Sequence, residues 1–184
     1  TSGGTGVLVK NESGYDNRGS LSFGTYGQWL AKYPGVLGNS LQVQFVTGDI
    51  SQSNFDGWTY ASEFDSKPGT SDYATGLGAT SANDEIHVVV IDEDGLLSGT
   101  AGTVLERFAF MSQASDAKSS DGTSNYYADV INNGSEYIWF NVKDSVLNNA
   151  STSISGGTTS FANSDADDIV SNSLSGGTDD NAPQ

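Results

Sequence analysis

Cysteine is absent from this sequence, so there is no disulfide framework and no thiol nucleophile, a composition compatible with a reducing cytoplasm. Histidine occurs once, at His87, and with no cysteine beside it a zinc site of the usual ligand types is nearly excluded. No run of roughly 18 apolar residues exists, so no segment reads as a membrane-spanning helix. Basic side chains are also scarce, seven against 23 acidic ones, for a net charge of −16. The excess is not spread evenly. Residues 1–50 balance Lys10, Arg18 and Lys32 against Glu12, Asp16 and Asp49, whereas residues 51–184 carry four basic against twenty acidic side chains. Such a surface repels phosphate backbones and anionic lipid, so neither nucleic acid nor membrane is an expected partner. The first residue is Thr and no basic-then-apolar signal opens the chain, which reads as a piece excised from a longer protein.

At 184 residues the chain suits one domain, which at this size buries roughly 70% of its unfolded surface and needs no staple. Apolar periodicity predicts four strong strands. Ser40–Val46 alternates as a half-buried strand does, and Glu85–Ile91 is nearly continuous β-branched residue, as in a strand covered on both faces. Thr103–Met111 and Tyr137–Val142 follow, and Gly6–Lys10 is a weaker fifth. The turn chemistry around Asp94–Gly95 predicts a hairpin with a long connection between the second and third.

Helical signals are fewer. Thr25–Tyr33 reads as a short helix ended by Pro34 and Gly35. Ser124–Asn132 places Tyr127, Val130 and Ile131 on one face, with Ser124 or Thr123 as cap and Asn133–Gly134 as stop. Asp167–Ser173 reads as a further turn of helix. The expected class is therefore α+β, with strands dominating and short helices interrupting them. Residues 1–20 are expected to be loosely ordered, 21–173 to form a single domain, and 174–184 to be a C-terminal loop; 148–160 is a further stretch with little to bury.

Nothing in the residues makes a catalytic constellation. His87 sits inside EIHVVVI, where a satisfied core or sheet-face histidine is the simpler reading than a general base. Asp92, Glu93, Asp94 and Gly95 are superficially like a calcium loop, but the position six residues beyond the glycine is Ala101, so the pattern fails and a hairpin turn explains them. Asp165, Asp167 and Asp168 fit a helix start that prefers negative charge. Gly156–Gly157 and Gly176–Gly177 lack the lysine of a phosphate loop, and the sequons at Asn11, Asn133 and Asn149 are chance matches in an Asn- and Ser-rich chain. No catalytic, cofactor-binding or metal-ligating residue is assigned.

Four local patterns carry a resemblance. YPGVLGNSLQVQ (Tyr33–Gln44) has an aromatic-Pro-Gly turn, a short loop and Gly-Asn-Ser-Leu leading into a strand. KPGTSDYATGLGATSANDEIHVVVIDEDG (Lys67–Gly95) has a Pro-Gly-Thr-Ser segment before a core strand. GTVLERFAFMSQASDAKSSDGTSNYYADVINNGSEYIWF (Gly102–Phe140) gives a strand, a polar turn and a helix, and LSGGTDDN (Leu174–Asn181) a Leu-x-Gly-Gly-x-Asp loop. In order and spacing these resemble the contractile-phage tail sheath proteins of the T-even type over about residues 33–142 and again at 174–181. The first and last patterns recur across that family; the middle two are specific to the T-even branch.

The resemblance implies an internal segment of a virion protein that stacks in hexameric rings around the tail tube, assembles in the host cytoplasm, and rearranges when the tail contracts to deliver the genome. For the middle region it implies mixed or antiparallel β-sheets in a two-layer arrangement with short flanking helices. Its implied partners are other copies of the sheath subunit, with tail tube and baseplate proteins; no enzyme activity, cofactor or metal is expected, because the residues form no base–nucleophile or ligand constellation. The isolated segment is expected to be monomeric, since much of the ring contact would lie elsewhere in the parent and −16 opposes self-association. Ser112–Ser124 is then a surface connection, and Tyr126, Tyr127, Tyr137, Trp139 and Phe140 are mainly core. A rival class is a β-rich cell-surface or adhesin module that binds a glycan or receptor, which the acidity, the Gly/Ser/Thr/Asn content and exposed aromatics such as Trp58 and Tyr60 would suit. A third, a hydrolase built on an acidic pair, has no specific spacing in its favour.

Overall fold

The computed structural model describes residues 11–16, 28–141, 154 and 167–179. Two antiparallel sheets and a few short helices make an α+β fold. The larger sheet has four strands: β2 (Leu41–Thr47), β3 (Glu85–Asp92), β4 (Thr103–Ser112) and β6 (Val170–Ser173), in the order β4-β3-β2-β6. The smaller is a ribbon of β1 (Gln28–Ala31) and β5 (Ile138–Asn141). Among the helices are α1 (Glu12–Asp16), α2 (Gln52–Asp56), α3 (Asp72–Gly76) and α4 (Tyr127–Gly134).

β3 explains the layering. From Ile86 to Asp92 every residue is buried, so both sheet faces must be covered. On one face Ile86, Val88 and Val90 join Leu41, Val43 and Phe45 of β2 beneath α4 and the ribbon, where Tyr127, Ile131, Ile138 and Phe140 complete the core. On the other, Val89, Ile91 and Val46 meet Ile50, Phe55, Trp58 and Phe64 from α2 and the loop that follows it. β2 alternates as expected through Gln42 and Gln44, which are half-buried, but Phe45, Val46 and Thr47 are all buried because both faces are covered there. A third, smaller cluster of Ala74, Ala79, Ala82, Ala114, Ala117 and Ile154 lies beyond the start of β3.

The β3–β4 hairpin stands as expected, closed by Gly102 N–H donating to the Asp92 carbonyl at 2.7 Å. β4 accommodates two register shifts, opposite His87 and between Val90 and Ile91, each leaving an extra residue on β4.

Two expected helices are strands. Residues 28–31, inside the helix expected over Thr25–Tyr33, form β1, because Trp29 and Leu30 find Phe140 and Trp139 across a ribbon. The Trp29 and Phe140 ring centroids are 4.5 Å apart, and Lys32 N–H extends the ladder to the Tyr137 carbonyl. A short apolar run is ambiguous in period, and a partner strand decides it. Likewise Val170–Ser173, expected as helix, pairs with Gln42–Phe45 as edge strand β6. α4 forms where expected but begins at Tyr127 and runs through Gly134. Ser124 does not cap it; its hydroxyl instead donates to Asp129. The Lys32 ammonium donates to the Ser135 carbonyl at the helix C-terminus, where positive charge is favoured. The strands expected at Gly6–Lys10 and the loop at 148–160 lie outside the described residues, Ile154 excepted.

Core and surface differ sharply in what a truncation costs. Phe140→Ala, between the ribbon and α4, is expected to lower stability by about 3–5 kcal/mol. Leu96→Ala, at a side chain 55% exposed, should change it by no more than about 0.5 kcal/mol. Urea denaturation of both variants checks the contrast.

Candidate functional site

The residues weighed from sequence fall at four places. His87 is fully buried in β3, stacked on Phe64 at 4.2 Å between centroids and edge-on to Phe110 at 4.5 Å. Phe110 N–H donates to Nδ1 at 3.0 Å, so the proton resides on Nε2, which donates to the Ser66 carbonyl at 2.9 Å. Burial holds the imidazole pKa below its usual value, partly offset by hydrogen bonding to the Ser66 and Ile86 backbone. This is the satisfied core histidine that the surrounding strand predicts.

The Asp92 turn is also saturated, by the protein itself. Asp92 is wholly buried, and its carboxylate accepts from Ser40 Oγ at 2.5 Å, Leu97 N–H at 2.9 Å, and Ser98 N–H and Oγ at 2.6 and 2.7 Å. Burial pushes its pKa up, but these four donors outweigh it and hold the group at about 2. Ser40 Oγ in turn accepts from Asp94 N–H at 3.2 Å and Leu96 N–H at 3.3 Å. A serine and an aspartate therefore touch, while both nitrogens of His87 bond elsewhere, and no relay of the three is assembled. Among the described residues no group of three or more His, Cys, Asp or Glu is placed to hold a metal ion.

Asp167 sits at a helix start, though not its own. At φ +67° its carboxylate accepts from Ser51 N–H at 2.5 Å and its carbonyl from Asn54 Nδ2 at 2.6 Å, so it caps α2 from across the chain. Asp165 lies outside the described residues.

The fourth place was quoted in the sequence but given no role there. Loop 174–179 closes over the 3₁₀ turn Gly35–Ser40 that precedes β2. Asn39 donates through Nδ2 to the Gly177 carbonyl at 2.8 Å and accepts Gly177 N–H on Oδ1 at 2.8 Å, a two-way amide pairing. Asp179 accepts Val36 N–H at 3.0 Å, and Leu174 N–H donates to the Leu41 carbonyl at 2.8 Å. Two glycines make the approach possible. A Cβ on Gly177 would lie 2.0 Å from the Gly35 carbonyl oxygen, and Gly35 itself adopts φ +74°. This clasp ties the first and last of the four sequence patterns together. Tyr33, Val36 and Leu37 remain exposed on the same turn.

The second pattern has a comparable anchor. Pro68–Ser71 is pinned along the start of β3: Gly69 N–H donates to Glu85 Oε2 at 2.8 Å, Glu85 N–H to the Gly69 carbonyl at 2.9 Å, and Ser71 N–H to Asp84 Oδ1 at 2.9 Å. The third is less superficial than expected. Ser112 and Gln113 are buried, and Ser112 Oγ donates to Asp84, so the polar run begins inside the fold. Tyr126, Tyr127, Trp139 and Phe140 are core and Tyr137 is half-buried. Trp58, expected as an exposed aromatic, is 4% exposed and donates through Nε1 to Gln44 at 2.8 Å. An open groove of about 610 Å³ runs beside β4, between Tyr60 and Glu63 on one wall and Val104–Arg107 on the other. Its Arg107–Glu63 pair at 3.4 Å is solvent-exposed.

No family model matches this chain, and no curated protein matches its sequence.

Two variants test the anchors. Gly177→Ala forces a methyl against the Gly35 backbone and should cost about 1–3 kcal/mol, with exchange of the Val36 amide accelerated. Asp92→Asn should cost about 2 kcal/mol at neutral pH through loss of charge-assisted hydrogen bonds. The folded pKa of Asp92 lies below its unfolded value of 3.8, so its contribution is fully present above that value and is lost as pH falls through about 2. The stability gap between wild type and Asp92→Asn should therefore narrow between pH 3.8 and about 2, as read by guanidinium titrations across that range.

Proposed function

We propose that this chain is a structural domain of a contractile phage tail sheath subunit, with no catalysis, cofactor or metal of its own. The observation that carries the reading is the clasp. YPGVLGNS and LSGGTD, the two patterns that resemble segments found across sheath proteins, lie about 130 residues apart. They are complementary in space: Gly177 admits the Gly35 backbone, Gly35 admits the Asp179 side chain, and Asn39 and Asp179 supply the bonds. A chance match of short Gly-rich strings carries no such mutual fit.

The physics of the role agrees. A sheath holds an extended lattice and then rearranges by movement of rigid modules, which calls for well-packed domains joined by contacts that can re-form. Here a sheet covered on both faces supplies the rigidity, and the buried polar groups Asp84, His87 and Asp92 fix the loops to it. The strongly acidic surface keeps the lattice contacts polar and disfavours nucleic acid and membrane as partners. Partners on this reading are further copies of the subunit, with tail tube and baseplate proteins, in the virion. Of the two aromatics named for the adhesin reading, Trp58 lies in the core, while Tyr60 lines the open groove beside β4.

Antibodies raised against the 184-residue chain should label purified contractile tails along their whole length, seen by immunogold electron microscopy. Label confined to a cell envelope, together with a specific hit on a glycan array, would overturn the sheath reading in favour of the adhesin.

A further inference from the structure

The one histidine has a position that its role as a core residue does not exhaust. Opposite His87 the β3–β4 register slips: Ile86 pairs with Met111 and Val88 with Phe108, which leaves Ala109 and Phe110 facing a single residue. Phe110 sits at φ +52°, a region that an aromatic side chain rarely adopts without support. Its support is His87, which accepts its N–H on Nδ1 at 3.0 Å and packs edge-on against its ring. The bulge is in turn the base of the long polar excursion. The Phe110 carbonyl accepts from Asn125 Nδ2 at 2.9 Å, the Asn125 carbonyl accepts Ser112 N–H at 2.8 Å, and Ser112 bridges to Tyr126.

We infer that His87 is a protonation-sensitive lock on this bulge: charging the imidazole releases Phe110 and loosens the base of segment 113–125 while the central strands stay paired. The chemistry is simple. Nδ1 accepts the Phe110 N–H only while it carries no proton. Taking up a proton from solvent turns Nδ1 into a donor and sets N–H against N–H, whereas the Nε2–H bond to Ser66 survives. Among the described residues the buried imidazolium also lacks a counterion. On its own strand, Glu85 bonds to Gly69 N–H; on β4, Arg107 is paired with Glu63. On the loop carrying Ser66, Asp65 and Lys67 flank it, and Lys67 Nζ donates to the Gly48 and Pro68 carbonyls. Asp56 of α2 accepts from Gln52, Asp49 beyond β2 accepts from Asn83, and β2 itself has no titratable residue. The hydrogen-bonding partners of the imidazole, Ser66, Phe110 and Ile86, are all backbone groups, so opening the bulge to water is its route to solvation. Burial, which lowers the His87 pKa in the closed form, supplies the driving force.

The inference goes beyond the assembly reading and stands without it. The sign follows from linkage. His87 binds its proton more tightly once the bulge is open, so opening becomes easier as pH falls below the free value of 6.5. Glu85 and Asp49 act in the opposite sense, because burial raises their pKa and protonation favours the closed form.

Native-state amide exchange on the whole 184-residue chain, corrected for intrinsic rates, tests it between about pH 7 and 5. The protection factor of the Phe110 amide should fall by up to about tenfold per pH unit below 6.5 while staying lower than that of Val88. In His87→Asn, whose Oδ1 can accept the same N–H but cannot charge, the profile should be flat. Nitrogen-15 shifts of the wild-type imidazole should report the proton on Nε2 at neutral pH, a readout that needs no variant. The inference fails if the proton is on Nδ1, or if wild-type Phe110 shows no slope. An equal slope in His87→Asn would overturn it too, as would Phe110 protection matching Val88 throughout, since opening would then be global.

Discussion

Burial of β3 on both faces is the constraint from which the remaining structure follows. A strand whose side chains point alternately into two apolar layers requires both layers to exist. α4 and the β1–β5 ribbon supply one, and α2 with the loop through Phe64 supplies the other. None of these pieces is large. Among the described residues the longest helix has eight residues and the ribbon strands four each, so each gains its stability from the sheet it covers and not from its own hydrogen bonds.

The same strand organises the polar interior. Asp84 at its threshold, His87 in its middle and Asp92 at its end are all wholly buried. Each is a hub that fixes a distant loop: Asp84 holds Ser71 and Ser112, His87 holds Ser66 and Phe110, and Asp92 holds Ser40 with the turn at Leu97–Ser98. A buried polar group left without its partners costs about 1–3 kcal/mol, so each hub selects one arrangement of its loop over others of similar compactness. Rigid loops on a rigid sheet suit a module that moves as a body, the property that the proposed sheath role requires. His87 is the hub whose hydrogen-bonding pattern changes nearest neutral pH, and the bulge beneath it carries the strained residue.

The clasp at the other end of the sheet works by shape more than by charge. Gly177 lets two backbones approach to a distance that any side chain would forbid, Gly35 leaves room for the Asp179 carboxylate, and Asn39 fills both hydrogen-bonding roles of Gly177. Val36 and Leu37 stay exposed on that turn, at the place where Tyr33–Gln44 and the 174–179 loop converge.

What the sequence determined by itself is the set of segments able to bury apolar surface with a period of two. Glu85–Ile91 reads correctly as a strand covered on both faces, and the β3–β4 hairpin is visible in its turn residues, because both signals are local. His87 as a satisfied core residue was legible for the same reason: its neighbours are β-branched on either side. Residues 28–31 and 170–173 were not legible, since an isolated strand of four residues gains nothing until Phe140 or Val43 lies across from it. Trp58 gave no sign of its burial, which is set by Gln44 and Phe64 arriving from other parts of the chain. Asp167 showed a preference for a helix start but could not show that the helix lies more than a hundred positions earlier. Only the tertiary structure decided which glycine meets which asparagine, because hydrogen bonds and close packing depend on distance in space, and chain order does not encode that for residues 138 apart.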